Sequence, residues 1–327
     1  MNRRTAIRRL TTFFLTTASL AHAQQPKKIP QIGYLSGVSL SVNAARVEAF
    51  RQGLRELSYV EGKNIVIDWQ SAEGKPDRLP ALAAELVRLK VDIIVTAGGP
   101  STRAVKAATS TIPIVMTQDS DPVANGFVAS LARPGGNITG LSTLTPELSG
   151  KRLEILIEVV PKLSRVVVLG TSIIPGYAHV LREVELVAKA FKVQLQNLDV
   201  LDSKDIETVF RAASKGRADG VLTLTSGILL SQRAQIVELA VKNRLPAIYP
   251  YGLYVEAGGL MFYGVNVLGL SRRAATYVDK ILKGRTPADL PVEQPMKFDF
   301  VISLIAAKQI GLTVPPNVLV RANRVIR

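Results

Sequence analysis

Short apolar segments alternate with amphipathic segments along nearly all of the chain, and this alternation restricts the possible fold most. The segments at 92–97 (DIIVTA) and 165–169 (RVVVL) are almost continuously apolar, which is typical of strands covered on both faces of a parallel sheet. In the intervening segments apolar residues recur three and four positions apart, as Val47, Phe50 and Leu54 do, and this spacing places them on one helix face. The pattern predicts doubly wound parallel α/β sheets.

Length and composition agree with two such sheets. The chain has 327 residues, enough for two lobes of roughly 100–150 residues each. Hydrophobic residues make up 47% of the chain but aromatic residues only 6%, as expected for aliphatic strands packed under helices. The strand–helix pattern restarts after the turn sequence at 133–137 (RPGGN), so we expect two lobes of similar design with several crossings between them.

The first 23 residues predict an export signal. A basic region with four arginines precedes a mildly apolar stretch at 10–20, and Ala-His-Ala at 21–23 fits the small-x-small cleavage rule. The apolar stretch is too short for a membrane span. We expect cleavage after Ala23 and a periplasmic location, by either the general or the twin-arginine route. The chain has no cysteine, which excludes a lipid-anchoring cysteine and disulfides.

A positively charged chain can bind nucleic acid or a membrane surface. Without the four arginines of the signal, the net charge of +15 becomes +11. The remaining basic residues are interspersed with acids on predicted helices, as Arg46, Arg51 and Arg152 are, and no basic stripe with interleaved aromatic residues occurs. Solvated helix faces account for the charge, and we expect no nucleic-acid partner.

Few residues are available for catalysis. Once the signal is removed, the chain keeps one histidine, His179, which excludes a histidine-rich metal site, and the absence of cysteine excludes a cysteine nucleophile. The sequence contains no G-x-S-x-G elbow, no phosphate loop and no G-x-G-x-x-G after its first strand. We do not expect Asp119 and Asp121 to act as a cooperating acid pair. We expect no enzyme activity, no metal and no cofactor, and a surface or packing role for His179.

The residues of the chain are better suited to binding a small molecule than to catalysis. In open α/β sheets ligands lie outside the carboxyl ends of the strands. Small polar residues and tyrosines follow the predicted strands in both halves, most clearly in the stretch 112–140, where a polar cluster at 117–121 follows a buried strand. The candidate ligand-binding residues are Ser36, Ser101, Thr102, Asp119, Asp121, Thr171, Ser172, Ser226, Tyr251 and Tyr263. The alternative for each is a role in a turn or a helix cap.

The chemistry of these residues suggests three roles. Ser101 and Thr102 begin a predicted helix, whose free N–H groups attract an anion such as a ligand carboxylate. Asp119 or Asp121 would bind an ammonium group. The tyrosines would stack on an apolar part of the ligand.

Several longer stretches are characteristic of one family. They include ELSYVEGKNIVIDW at 56–69, TIPIVMTQDSDPV at 111–123, ASLARPGGNITGLS at 129–142 and RRAATYVDKILKGRTPADLPVEQPMKF at 272–298. In these stretches the chain resembles the ABC-transporter substrate-binding proteins that include the tryptophan/tyrosine-binding type, with a type I periplasmic-binding fold. The resemblance extends over nearly the whole chain after the signal, with small departures such as Ser58, where a glycine is usual.

The resemblance implies a clamp of two lobes joined by a hinge, which closes on a small molecule and presents it to a membrane permease. The ligand would be an amino acid or a related carboxylate or amide, and the protein would act as a monomer. We expect lobe 1 to comprise 30–139 and 261–286, and lobe 2 to comprise 140–260 and 287–327. The alternatives are a sensor of the same fold that signals to a membrane receptor and, less favoured, a secreted α/β hydrolase.

Overall fold

The computed structural model describes residues 28–327, so the predicted signal peptide and its cleavage site lie outside the described residues. Strands and helices alternate as the sequence predicts. The strands are β1 (Gln31–Ser36), β2 (Val66–Ser71), β3 (Ile93–Ala97), β4 (Ile114–Asp119), β5 (Ile138–Ser142), β6 (Arg165–Gly170), β7 (Gln194–Asp199), β8 (Gly220–Thr223), β9 (Ala247–Tyr249), β10 (Met261–Val265), β11 (Phe298–Ser303) and β12 (Arg324–Ile326).

The helices connect these strands and cover their faces. They are α1 (Ala44–Glu56), α2 (Leu79–Arg88), α3 (Gly99–Ala108), α4 (Thr145–Val159), α5 (Tyr177–Phe191), α6 (Asp205–Lys215), α7 (Gly227–Ser231), α8 (Arg233–Lys242), α9 (Leu253–Glu256), α10 (Val267–Leu282), α11 (Leu304–Ile310) and α12 (Pro316–Leu319).

Lobe 1 is built on a parallel sheet of five strands in the order β2-β1-β3-β4-β5. Helices α1 and α10 cover one face, where Phe50 and Val278 join the core. Helices α2 and α3 cover the other face, where Leu86 and Val105 are buried. Each such aliphatic or aromatic side chain contributes about 1.5–3 kcal/mol on burial, so both faces of the sheet hold the lobe together.

Lobe 2 is built on seven strands in the order β12-β11-β10-β9-β8-β6-β7. Its core lies on both faces, with α4 and α5 on one side and α6 and α8 on the other. The sheet departs from the predicted parallel arrangement at one place, since β10 and β11 pair antiparallel. The chain leaves lobe 2 after β10, forms α10 in lobe 1 and returns at the same end of the sheet, so β11 runs back in the opposite direction.

The lobes are linked by three chain crossings, after β5, after β10 and before β11. These crossings differ from the predicted boundaries. Strand β10 belongs to lobe 2, whereas the segment before β11 stays with lobe 1, where Thr139 donates a hydrogen bond to the Leu290 carbonyl (2.6 Å) and Ser142 N–H to the Glu293 carbonyl (2.9 Å). The apolar pattern of a strand marks it as buried but does not specify which sheet it joins.

The backbone at Gly140 and at Ser58 explains why glycine is favoured at these two positions. A Cβ on Gly140 of β5 would lie 2.2 Å from the Met116 carbonyl oxygen, so only glycine allows β5 to approach β4 this closely. Ser58 adopts φ +67°, a left-handed conformation that glycine adopts at least cost.

Strand β4 contains one extra residue relative to both neighbours. The register with β3 shifts after Thr96, and the register with β5 shifts between Met116 and Asp119. Such bulges redirect the side chains that follow them. Past the bulge, Gln118, Asp119 and the next residue all line the space between the lobes.

Candidate functional site

A cleft lies between the lobes, where the carboxyl ends of strands from both sheets meet. It encloses about 110 Å³. Lobe 1 lines it with the loops after β1, β3 and β4, and lobe 2 lines it with the loops after β6, β8 and β9. This is the position where open α/β sheets bind ligands.

Asp119, at the end of β4, is the buried acid of the cleft and only 2% exposed. Its Oδ1 accepts hydrogen bonds from Asn125 Nδ2 (2.9 Å) and from the Asp121 backbone N–H (3.2 Å). Its Oδ2 has no hydrogen-bond partner among the described residues. Burial raises the pKa of Asp119 to about 7, because the charged form loses hydration. The free oxygen is therefore suited to a cation that would compensate its charge.

The N-terminus of α3 lies directly beside Asp119. A Cβ on Gly99 would lie 3.2 Å from Asp119 Oδ2, so the absence of a side chain there keeps this space open. Ser101 is fully buried and lines the cleft, and its hydroxyl has no partner in the described part of the chain. The first N–H groups of a helix lack partners within the helix. We refer to Asp119 and the start of α3 together as the acid end of the cleft.

Two other predicted residues of lobe 1 stabilise loops instead of lining the cleft. The Thr102 hydroxyl bonds to Thr96 Oγ1 (2.8 Å) and donates to the Gly98 carbonyl (3.3 Å). The Ser36 hydroxyl donates to the Val38 carbonyl (2.7 Å) and accepts from Asn43 Nδ2 (2.8 Å). Their hydrogen-bonding capacity is used within the protein.

Asp121 contacts the other lobe rather than the cleft. Its Oδ1 accepts from the Ala124 N–H (3.0 Å), and its Oδ2 lies 3.1 Å from Nδ1 of His179 on α5. His179 therefore lies on the surface of its helix, as expected, but at the contact between the lobes.

The predicted residues of lobe 2 divide in the same way. Ser226 and Tyr251 line the cleft. The Thr171 hydroxyl bonds to Ser226 Oγ (2.8 Å) and donates to the Val200 carbonyl (3.0 Å). Ser226 also caps α7 by accepting from the Leu229 N–H (3.3 Å).

Ser172 and Tyr263 lie outside the cleft. The Ser172 hydroxyl and N–H both donate to Asp199 at the exposed end of β7. The Tyr263 ring packs against Phe298 and Phe300, with ring centroids 6.2 and 5.9 Å away.

Arg46 and Asn43 are cleft residues that the sequence analysis missed. Arg46 was expected on a solvated helix face, but it is 5% exposed, and its guanidinium lies over the Tyr251 ring at 4.7 Å. Both residues line the cleft from α1 and its N-cap. One sequence signal was available, since α1 follows the carboxyl end of β1, and its first turns therefore lie at the ligand-binding edge of the sheet.

Lobe 2 contributes a mostly apolar wall to the cleft, which includes Ile174, Pro175, Val180, Leu224 and Leu230. The two lobes touch around it. A Cβ on Gly227 would lie 3.0 Å from the Val38 side chain, and one on Gly99 would lie 3.7 Å from Pro175. The cleft is therefore covered by lobe 2 in this structure.

Two α/β lobes with three crossings and a cleft at their strand ends define a binding protein of the type I periplasmic-binding fold. The chain belongs to the family of ABC transporter substrate binding proteins, which matches residues 32–326. This family consists of extracytoplasmic proteins that bind small molecules. Within residues 28–327 no helix is long and apolar enough to cross a membrane.

The chain is also similar to individual proteins and solved structures. The chain is 27% identical to a tyrosine-binding protein of Clostridioides difficile (strain R20291) over 257 residues, which cover 78% of this chain and 73% of that protein. A conserved domain protein of Vibrio cholerae O1 biovar El Tor strain N16961 is 28% identical, with a TM-score of 0.86 over 91% of this chain and all of the other. An ABC domain in complex with L-Trp from Streptococcus pneumonia is 25% identical, with a TM-score of 0.82 over 90% of this chain and 100% of that one.

Proposed function

We propose that the protein binds an amino acid in the cleft and delivers it to the membrane permease of an ABC importer. The observation that carries this proposal is the acid end of the cleft, where a free carboxylate oxygen lies beside a helix N-terminus. An α-amino acid carries an ammonium and a carboxylate on one carbon, so its two charges match these two adjacent groups. The names of two relatives, one tyrosine-binding and one in complex with L-Trp, agree with this ligand class.

The ammonium group would donate to Asp119 Oδ2. The raised pKa of Asp119 reflects a buried charge without compensation, and a bound cation supplies that compensation. The ligand carboxylate would accept from Ser101 Oγ and the first N–H groups of α3, where the helix dipole also favours an anion.

The ligand side chain would extend toward the apolar wall of lobe 2. A ligand shifts an equilibrium between open and closed forms only if it binds one form better. Charged groups on lobe 1 and apolar contacts on lobe 2 meet this requirement, because only the closed form offers both sets of contacts to one molecule.

The proposal also includes the export and the oligomeric state of the protein. We infer that residues 1–23 form a signal peptide cleaved after Ala23, so that the exported periplasmic protein begins at Gln24. The protein would act as a monomer, without a cofactor and without catalysis of its own. N-terminal sequencing of the periplasmic protein tests the cleavage site, and a retained Met1 would contradict it.

A thermal-shift screen of the amino acids tests the ligand class. A ligand at a hundredfold excess over its Kd adds about 2.7 kcal/mol to the free energy of unfolding, so a matching amino acid raises the melting temperature clearly. The N-acetyl and amide derivatives of that amino acid serve as matched controls, because each lacks one of the two charges. The proposal fails if no amino acid stabilises the protein, or if both derivatives stabilise it as well as the parent.

A further inference from the structure

Arg46 is a buried cation whose charge no acid of the described chain balances. It forms no ion pair in residues 28–327, and its Nε and Nη2 atoms are buried without hydrogen-bond partners. Tyr251 covers one face of the guanidinium, which is a favourable cation–π contact, but the N–H groups point outward from the edge of that plane. Buried N–H donors without acceptors are costly, and Arg46 lines the cleft, so these donors are available to a ligand.

Asn43 supplies an unpartnered acceptor one helical turn before Arg46. Its Oδ1 is buried and has no partner within the described residues, and it also lines the cleft. The surrounding hydrogen bonds determine which way its amide points. The Ser36 hydroxyl donates to the Val38 carbonyl, so it must accept from Asn43 Nδ2, and this leaves Oδ1 facing away from Ser36.

Arg46 and Asn43 lie apart from Asp119 on the lobe 1 surface. They follow β1, whereas Asp119 ends β4, and β3 lies between these two strands. Two strand spacings separate the ends by about 10 Å. An amino acid whose ammonium group is at Asp119 therefore reaches Arg46 only with the end of a long side chain.

We propose that Arg46 and Asn43 form a second polar subsite, which binds a neutral hydroxyl or carboxamide group at the end of the ligand side chain. Such a group accepts from Arg46 and donates to Asn43 Oδ1, whereas a side-chain carboxylate would pair with Arg46 but would offer no donor to Asn43 Oδ1. This inference rests on the proposed function and narrows the ligand class to long side chains with a polar end, such as those of tyrosine and glutamine.

Calorimetry with matched ligand pairs tests the subsite. Tyrosine and phenylalanine differ by one hydroxyl, and glutamine and norleucine differ by one carboxamide. The wild-type protein should bind the polar member of at least one pair at least tenfold more tightly than the apolar member. The apolar member would leave the buried polar groups of Arg46 and Asn43 without hydrogen-bond partners. In Arg46→Met the apolar stem remains but the donors are lost, so the two members should bind within about twofold of each other. Arg46→Lys keeps the charge and should show an intermediate preference.

Arg51→Met is the control on the same helix. The Arg51 guanidinium also lies over an aromatic ring, that of Trp69, but it is paired with Glu61 at the surface. This variant should keep the wild-type preference.

Three outcomes would overturn the subsite. The first is a wild-type protein that binds amino acids without preference in either pair. The second is an equal loss for both members in Arg46→Met, which would show a structural contact only. The third is tighter binding of glutamate than of glutamine, which would show an anion site. If no amino acid binds the wild-type protein, the proposed function itself fails.

Discussion

The two lobes present polar residues at the same kind of position, the carboxyl ends of their strands, but use them differently. In lobe 1 Asp119 Oδ2, Ser101 Oγ and the Nε and Nη2 atoms of Arg46 lack hydrogen-bond partners within the described chain, and all three residues line the cleft. In lobe 2 Thr171 bonds to Ser226, and Ser172 bonds to Asp199. Polar groups of the first kind are available to a ligand, whereas those of the second kind hold loops in place.

Asp119 and Asp199 show this contrast most directly. Each is the last residue of a parallel strand. Asp119 is buried with one free oxygen, whereas Asp199 is exposed and both its oxygens accept from Ser172. Lobe 1 should therefore recognise the charges of the ligand, and lobe 2 should cover its apolar part.

The largest expected effect comes from replacing Asp119, with the same replacement of Asp199 as the comparison. Asp119→Asn removes the charge that meets the ligand ammonium and should cost about 2–5 kcal/mol of binding free energy, roughly thirtyfold or more in Kd. Asp199→Asn, the matched variant of lobe 2, should bind within about twofold of wild type. Calorimetry measures both, with circular dichroism to confirm folding. Equal effects in the two folded variants would remove the distinction between the lobes.

An intermediate effect is expected from pH. The pKa of Asp119 is about 7 without ligand, and a bound ammonium favours the ionised form, so binding below pH 7 must release a proton. The affinity should be about tenfold lower at pH 6 than at pH 8. The stability of the ligand-free protein should change in the opposite direction. Asp119 ionises near pH 4 in the unfolded chain but only near pH 7 in the folded protein. The folded state therefore holds a proton that the unfolded state has lost, and the free energy of unfolding falls as the pH rises from 4 to 7.

Proton release can be measured by calorimetry in buffers of different ionisation enthalpy. Asp121 and Arg103 also carry charge near Asp119, and His179 contacts Asp121, so Asp119→Asn is the necessary control. In that variant the proton release should disappear. Unchanged pH dependence in Asp119→Asn would assign the effect to the other groups.

The smallest expected effect concerns the contact between the lobes. His179 and Asp121 are 37% and 26% exposed, and such pairs contribute about 0–1 kcal/mol. His179→Ala should therefore weaken ligand binding by about fivefold at most. A tenfold or greater loss of ligand affinity in His179→Ala at pH 8 would show that lobe 2 contributes more to binding than apolar contacts.

The local sequence was sufficient for most elements of the fold. The predicted buried strands at 92–97 and 165–169 are β3 (Ile93–Ala97) and β6 (Arg165–Gly170), because strand and helix patterns are set by residues close in sequence. The antiparallel pairing of β11 was not predictable in this way, since it depends on where the chain returns from the other lobe.

For the cleft, the sequence alone determined which polar residues end strands and begin helices, and Asp119 and Ser101 were found by that reasoning. Only the tertiary structure decided which of them are left without partners. Thr171 is satisfied by Val200 and Ser226, 29 and 55 residues away along the chain. Arg46 resembles its solvated neighbour Arg51 in sequence but is buried in the fold, where Tyr251 of lobe 2 covers its guanidinium. Hydrogen-bond satisfaction and burial depend on atoms brought together by folding, which local patterns do not encode.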